Sequence, residues 1–215
     1  MRNNFRTILY LIVATTTSLM TSLAGANDAV DFFRAANVDD ERTVKALLER
    51  GFDPNTTNSQ GQAGLFVAMR DESPKVASAL LAHPSIRVDT PNSAGETAVM
   101  MAALRGSVEW TRRLLVAGAA VNRPGWAPLH YAASGPEIEV IKLLLERGAQ
   151  IDAVSPNGST PLMMAARYGP VDAAEFLLSR GADRRLLNQQ GLSAADFARL
   201  AGRAALAIRL QAGKK

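Results

Sequence analysis

The chain holds 215 residues with no cysteine, and its 24 Lys and Arg against 20 Asp and Glu leave a net charge of +4. Lack of cysteine excludes a disulfide framework, a thiolate nucleophile and a zinc–cysteine centre, and two histidines leave little material for imidazole chemistry. With 47% apolar residues the chain is long enough and apolar enough for one continuous core.

The N-terminus carries Arg2 and Arg6, an apolar run from Ile8 to Ala14 and the sequence Ala24-Gly25-Ala26. A basic start, a short apolar stretch and a small-residue end predict a secretory signal over 1–26, cleaved after Ala26. An uncleaved anchor is the other reading, but the run falls far short of the ~20 residues needed to span a bilayer. Residues 27–215 then form the mature domain, and without disulfides it must be held by packing alone.

Six units follow. The first, 28–60, places Phe32, Phe33, Ala35 and Ala36 on one helix, and Val44, Leu47 and Leu48 on a second. Its Asp28, Asp31 and Arg34 suit a terminal cap facing water. The second, 61–94, is the least regular. Gly64 stands where the repeat's proline would be, Glu72 where a turn glycine would be, and Pro84 replaces the terminating glycine. The third, 95–124, is regular until its exit, Val121-Asn-Arg-Pro124, which brings the next opening glycine three residues early. That cut is expected in a hairpin tip, because removing three helical residues would rotate the apolar stripe.

The fourth and fifth units, 125–157 and 158–190, repeat each other at an offset of 33 residues, and such periodicity means a stacked array. Pro128 and Pro161 mark first helical positions, and Thr160 can cap the helix behind it. The pairs Ala132-Ala133 and Ala165-Ala166 let neighbouring helices approach closely. Second helices are predicted from Ile138, Ile141, Leu144 and Leu145, and from Val171, Ala174, Leu177 and Leu178, spaced three and four apart. Gly148 and Gly181 end them. The sixth unit, 191–212, runs through Leu206, Ile208 and Leu210 as a C-terminal cap, with Arg199, Arg203 and Arg209 available for its solvent face. Neither helix of such a unit can bury its apolar face without neighbours.

These residues resemble the ankyrin repeat, whose pattern Gly-x-Thr-Pro-Leu-His-x-Ala-Ala, then Gly, then Leu-Leu-Leu-x-x-Gly-Ala-Asp, is matched from Gly125 to Gly148 and from Gly158 to Asp183. The resemblance implies an all-α solenoid of helix-turn-helix units with short hairpin loops. It also implies a concave surface of hairpin tips and inner helices that binds other proteins.

Catalytic patterns are missing: no Gly-x-Ser-x-Gly elbow, phosphate-cradling loop or His-Glu-x-x-His helix occurs. His130 fills the repeat's Pro-Leu-His position, where the resemblance implies a structural role, and His83 lies in a His-Pro-Ser loop. No cofactor, metal or catalytic set is expected. The remaining enzymatic or small-ligand reading would use the irregular second unit, with His83, Asp71 and Glu72. Charge is polarised: seven basic residues against one acidic over 184–215, or +6, and 15 against 19 over 27–183, or −4. The basic end could steer an acidic partner or rest near an anionic membrane, or be a solvated arginine-rich cap. For an exported chain a nucleic-acid partner is not expected.

Protein binding remains, and the repeat register nominates its residues. Positions flanking the opening glycines and those ending the inner helices are Gln62, Arg70, Asp71, Glu96, Leu104, Arg105, Trp126, Arg167 and Tyr168. Trp126 beside the shortened loop either meets a partner or packs on a neighbouring finger. Trp110 and Met100, Met101, Met163 and Met164 read as core. The expectation is a monomeric, non-catalytic, exported module in a bacterial periplasm. It would dock one protein partner in an accessory, assembly or immunity role and touch membrane only through its transient signal peptide.

Overall fold

The computed structural model describes residues 27–212; the leader expected over 1–26 lies outside the described residues. Helix α1 covers 27–37. It is followed by α2 (Glu41–Glu49), α3 (Gly64–Arg70), α4 (Pro74–Leu81), α5 (Ala98–Leu104) and α6 (Val108–Val116). Then come α7 (Pro128–Ser134), α8 (Ile138–Glu146), α9 (Pro161–Arg167), α10 (Val171–Ser179), α11 (Ala194–Leu200) and α12 (Ala204–Gln211). Odd-numbered helices stack on one side and even-numbered ones on the other, each pair forming one unit of an all-α solenoid. Among the described residues, strand pairing is a single bridge between Thr57 and Ala63.

Local chemistry sets the helix starts. Thr97, Ala127, Thr160 and Ser193 are all extended, and Pro128 and Pro161 follow with φ fixed for a first helical residue. At α11, Ser193 Oγ accepts the Asp196 amide at 3.4 Å while the Asp196 carboxylate accepts the Ser193 amide at 2.9 Å, a reciprocal cap. Helix α4 is capped from the preceding unit: Asp39 Oδ1 accepts the amides of Lys75 and Val76 at 2.8 and 3.0 Å. That role explains why Asp39 holds a φ of 57°, which costs a non-glycine residue free energy.

Inner helices pack on inner helices through buried small residues, Ala68, Ala102, Ala103, Ala132, Ala133, Ala165, Ala166 and Ala198. Contacts between outer helices are sparser, so the stack bends toward its inner side and leaves a groove there. Two buried apolar clusters, one toward each end, meet where Leu115 and Tyr131 pack against both. Outer loops are tied by a polar ladder. Asn55 Oδ1 accepts the Arg87 amide at 2.7 Å, Asn122 Oδ1 the Gln150 amide at 2.8 Å, and Asp152 Oδ1 the Asp183 amide at 3.0 Å.

Several expectations are corrected by this packing. The outer-helix stripe lies on Val140, Ile141 and Leu144 in α8 and on Ala173, Ala174 and Leu177 in α10, whereas Val171 is 41% exposed. An outer helix is clamped between two neighbours and its inner partner, so its buried face keeps the three-four spacing but is centred away from the first-turn Ile138 and Val171. Trp110 is half-buried rather than core, because the Arg113 guanidinium lies 4.0 Å from its ring centroid and covers the outward face. Met164 is also only half-buried. In the last unit Ile208 is 67% exposed. Arg203 does not face solvent alone: its guanidinium donates to the carbonyls of Ala165, Ala166 and Gly169, which end α9 without helical partners.

The irregular Gly64 has a packing cause. A β-carbon there would lie 2.5 Å from the ring of Phe32, which is fully buried and packed on Phe33 and Phe52 with centroids 5.2 and 4.8 Å away. Where units four and five hold Pro128 and Pro161, this one makes room for a phenylalanine. Gly64→Ala is therefore expected to lower stability by about 1–3 kcal/mol through overpacking. In the Phe32→Leu background the same substitution should cost less, as urea unfolding of the four proteins would show.

Candidate functional site

The groove changes character at the fourth unit, and the cause is the short connection before it. Elsewhere each hairpin tip is closed by an asparagine whose Oδ1 accepts two amides: Asn58 from Gln60 and Gln62, Asn92 from Ala94 and Glu96, Asn188 from Gln190 and Leu192, all at 2.9–3.0 Å. At the tip that joins units four and five, Ser155 and Asn157 share that work on Ser159. The 121–126 segment is too short for such a turn, while α6 and α7 keep the nine and seven residues of their counterparts. Trp126 is thus set down on its own unit rather than on a neighbouring finger. It sits edge-on to His130 and Tyr131 at 5.3 and 6.5 Å between centroids, half-buried.

At the other end of α7 the fourth unit again falls short. Units three and five end their inner helices with Leu104-Arg105 and Arg167-Tyr168, and unit four with Ser134-Gly135. The missing side chains leave a hollow of about 230 Å³ lined by Leu104, Trp126, His130, Tyr131, Ser134 and Met164. Leu104, 37% exposed, forms its rim.

The other nominated residues lie along the same groove in two groups. In units two and three, Arg70 donates to both carboxylate oxygens of Asp71 at 2.7 and 2.6 Å and to Gln62 Oε1 at 2.8 Å. Arg105 donates to the Arg70 carbonyl at 2.5 Å and pairs with Glu72 at 3.4 Å. Glu96 accepts from Asn92 Nδ2 and from the Tyr131 hydroxyl, both at 2.9 Å. In units five and six, Arg167 lies over Tyr168 and Phe197, 5.3 and 5.8 Å from the ring centroids, and Tyr168 is 55% exposed. Tyr131, Ser134 and Met164 complete the hollow, and none of the three is among the positions nominated from the register. The signal for Tyr131 is its position, one before the alanine pair, where Met101, Met164 and Phe197 also stand.

His130 is 1% exposed, and its tautomer is fixed by the backbone. Nδ1 accepts the Ala127 amide at 3.1 Å, so Nε2 carries the proton and donates to the Ser159 carbonyl of the next unit at 3.0 Å. Burial pushes its pKa below the ordinary 6.5. Burial, with the Glu96 hydrogen bond second, pushes the Tyr131 hydroxyl up, so it stays a donor. The residues of the enzymatic reading do not converge. Asp71 and Glu72 precede α4 and His83 follows it, and eight helical residues separate them by roughly 12 Å. His83 Nδ1 accepts the Ser85 amide at 3.3 Å in its own loop.

Comparison with known proteins agrees with this architecture. The family described as "Ankyrin repeats (3 copies)" matches residues 32–125 and 112–188. Transient receptor potential cation channel subfamily A member 1 of Homo sapiens is 33% identical over 111 residues, covering 50% of this chain and 10% of its own. The nuclear factor NF-kappa-B p105 subunit of Gallus gallus is 31% identical over 125 residues, covering 55% of this chain and 13% of its own. The chain thus spans only a small fraction of these relatives. Among solved structures, a complex of a predatory endopeptidase from Bdellovibrio bacteriovorus with an immunity protein contains a chain similar at TM-score 0.73 and 27% identity. The match covers 86% of this chain and 98% of that one.

Protonating His130 would set an N–H against the Ala127 N–H. Because its pKa is lower folded than unfolded, stability is complete above the unfolded value near 6.5 and falls as pH drops below it. Unit five holds Met163 at the same position, its sulfur accepting the Thr160 amide at 3.4 Å. His130→Met should therefore fold, at a cost of about 1–3 kcal/mol for the lost hydrogen bond. Its urea midpoint should drop less than that of the wild type between about pH 7.5 and about pH 5.5. Equal drops would remove His130 as the titrating group.

Proposed function

The chain belongs to the ankyrin-repeat family, and from that premise we propose that it is a non-catalytic module that docks a protein partner in its concave groove. The observation that carries this reading is the aromatic hollow at unit four. Trp126 and Leu104 present apolar surface to solvent there, and Tyr168 does so at the end of α9 in the next unit; aromatic and arginine side chains are the ones that dominate binding at interfaces. Farther along the groove, in units two and three, Arg70, Asp71, Gln62 and Arg105 form a hydrogen-bonded wall, and Arg167 lies one helical turn after Met164 of the hollow on the unit-five side.

Within this reading the first 26 residues export the chain to a bacterial periplasm, where it acts as an accessory, assembly or immunity factor for a periplasmic enzyme. Support comes from the basic, apolar and Ala-Gly-Ala pattern of that segment. The likeness to a chain from the endopeptidase–immunity protein complex supports the choice of an enzyme as partner.

Full-length chain expressed with its own leader should be recovered from the periplasmic fraction with Asn27 as its first residue, by N-terminal sequencing; recovery of intact Met1 in the membrane fraction rejects export. Pull-down from periplasmic extract should yield a stoichiometric partner. Trp126→Ala should weaken its retention by at least about 2 kcal/mol, roughly thirtyfold in affinity. Arg105→Glu should weaken it less, and Ile208→Ser, remote from the groove, should leave it unchanged. Equal recovery from all four proteins would sink the docking site.

A further inference from the structure

The hollow lies between two opposite charges that no ion pair neutralises among the described residues. Among the described residues Glu96, on the unit-three side, is held only by neutral donors, Asn92 Nδ2 and the Tyr131 hydroxyl. Arg167, on the unit-five side, has aromatic rings beside it and no carboxylate within ion-pair distance among the described residues. Arg70 and Arg105 of the same groove are already matched, Arg70 with Asp71 at 2.6 Å and Arg105 with Glu72 at 3.4 Å. Read along the groove, the open positions are an anion, an apolar hollow and a cation.

At about 230 Å³ the hollow is smaller than the roughly 300–1,000 Å³ of small-molecule sites, a size that suits one bulky side chain. Glu96 and Arg167 belong to units two steps apart, and inner helices pack about 8–10 Å from each other. Glu96 precedes the start of α5 and Arg167 ends α9, which adds an offset of roughly 10 Å along the helix axis. The charges are thus separated by roughly 19–22 Å, a distance an extended strand covers in about six residues at ~3.3 Å each.

Resting on the docking reading and adding to it, we propose that the partner inserts one large apolar side chain from an extended loop. That loop carries a cation about three residues to one side, over Glu96, and a carboxylate about three residues to the other, over Arg167. Rim charges select the loop and the hollow anchors it.

The test uses blocked heptapeptides with a central phenylalanine and terminal residues Lys/Glu, Lys/Lys or Glu/Glu, so that a strand lying in either direction presents the same charges. Binding is read from Trp126 fluorescence in the full chain carrying Trp110→Phe, with amide NMR shifts locating the site. The Lys/Glu peptide should bind about two- to fivefold tighter than either of the others, the range of exposed ion pairs. Arg167→Glu should make Lys/Lys the tightest. Glu96→Gln, a side chain that Gln62 already places in the same turn, should bring Glu/Glu level with Lys/Glu. Three peptides binding alike, or none perturbing Trp126, would overturn the proposal. If that happens while Trp126→Ala still loses the periplasmic partner, docking stands and only the loop chemistry is wrong; if partner recovery is also unchanged, both fall.

Discussion

Successive inner turns of this protein come so close that side chains are excluded between them. A β-carbon on Gly135 would lie 2.8 Å from the Leu104 carbonyl oxygen and 2.9 Å from that of Ala103, and one on Gly169 would collide with the Ala133 carbonyl. The alanine pairs beside these glycines serve the same approach. Inner helices of seven residues are far below the length at which a helix persists alone in water, so these cross-unit contacts hold the helices as well as the stack. Departures from the repeat are consequently answered in the neighbouring unit. Phe32 fills the space left at Gly64, Asp39 caps α4, and Arg203 closes the end of α9.

The candidate site follows from the same constraint. Ser134-Gly135 ends α7 with almost no side chain because the backbone there must lie against unit three. That economy leaves the space that Leu104, Trp126, Tyr131 and Met164 surround. The shortened 121–126 connection adds the wall, since a segment with no room for an asparagine turn lays its tryptophan back on His130 and Tyr131. Two deviations with separate causes, one at each end of α7, thus converge on one hollow.

Much of this was legible in the sequence because the repeat period fixes which backbones are neighbours. The helix pairs, the terminating glycines and the nine candidate positions along the groove all follow from register. What register does not reveal is which side chain from one unit reaches which group in the next. Arg203 and the α9 carbonyls are separated by 34 to 38 residues, and Tyr131 and Glu96 by 35. Such bonds depend on rotamers and on the small stagger between units, neither of which a period encodes. The same limit hid where the outer-helix stripe is centred and the cover that Arg113 places over Trp110.

Pairing also sorts the candidate residues by what they can contribute. Gln62, Arg70, Asp71 and Arg105 already satisfy one another. Separating them for a partner would forfeit those bonds, so their contribution is a fixed wall and a local field more than contact energy. Trp126, Leu104 and Tyr168 have no such prior commitment and lose only water on contact. Tyr131 is tied to Glu96 across a unit boundary and His130 to Ser159 across the next, so the floor of the hollow is ordered before anything arrives. A floor that is already ordered loses little conformational entropy on binding, which favours recognition concentrated in units three to five over recognition spread along the whole groove.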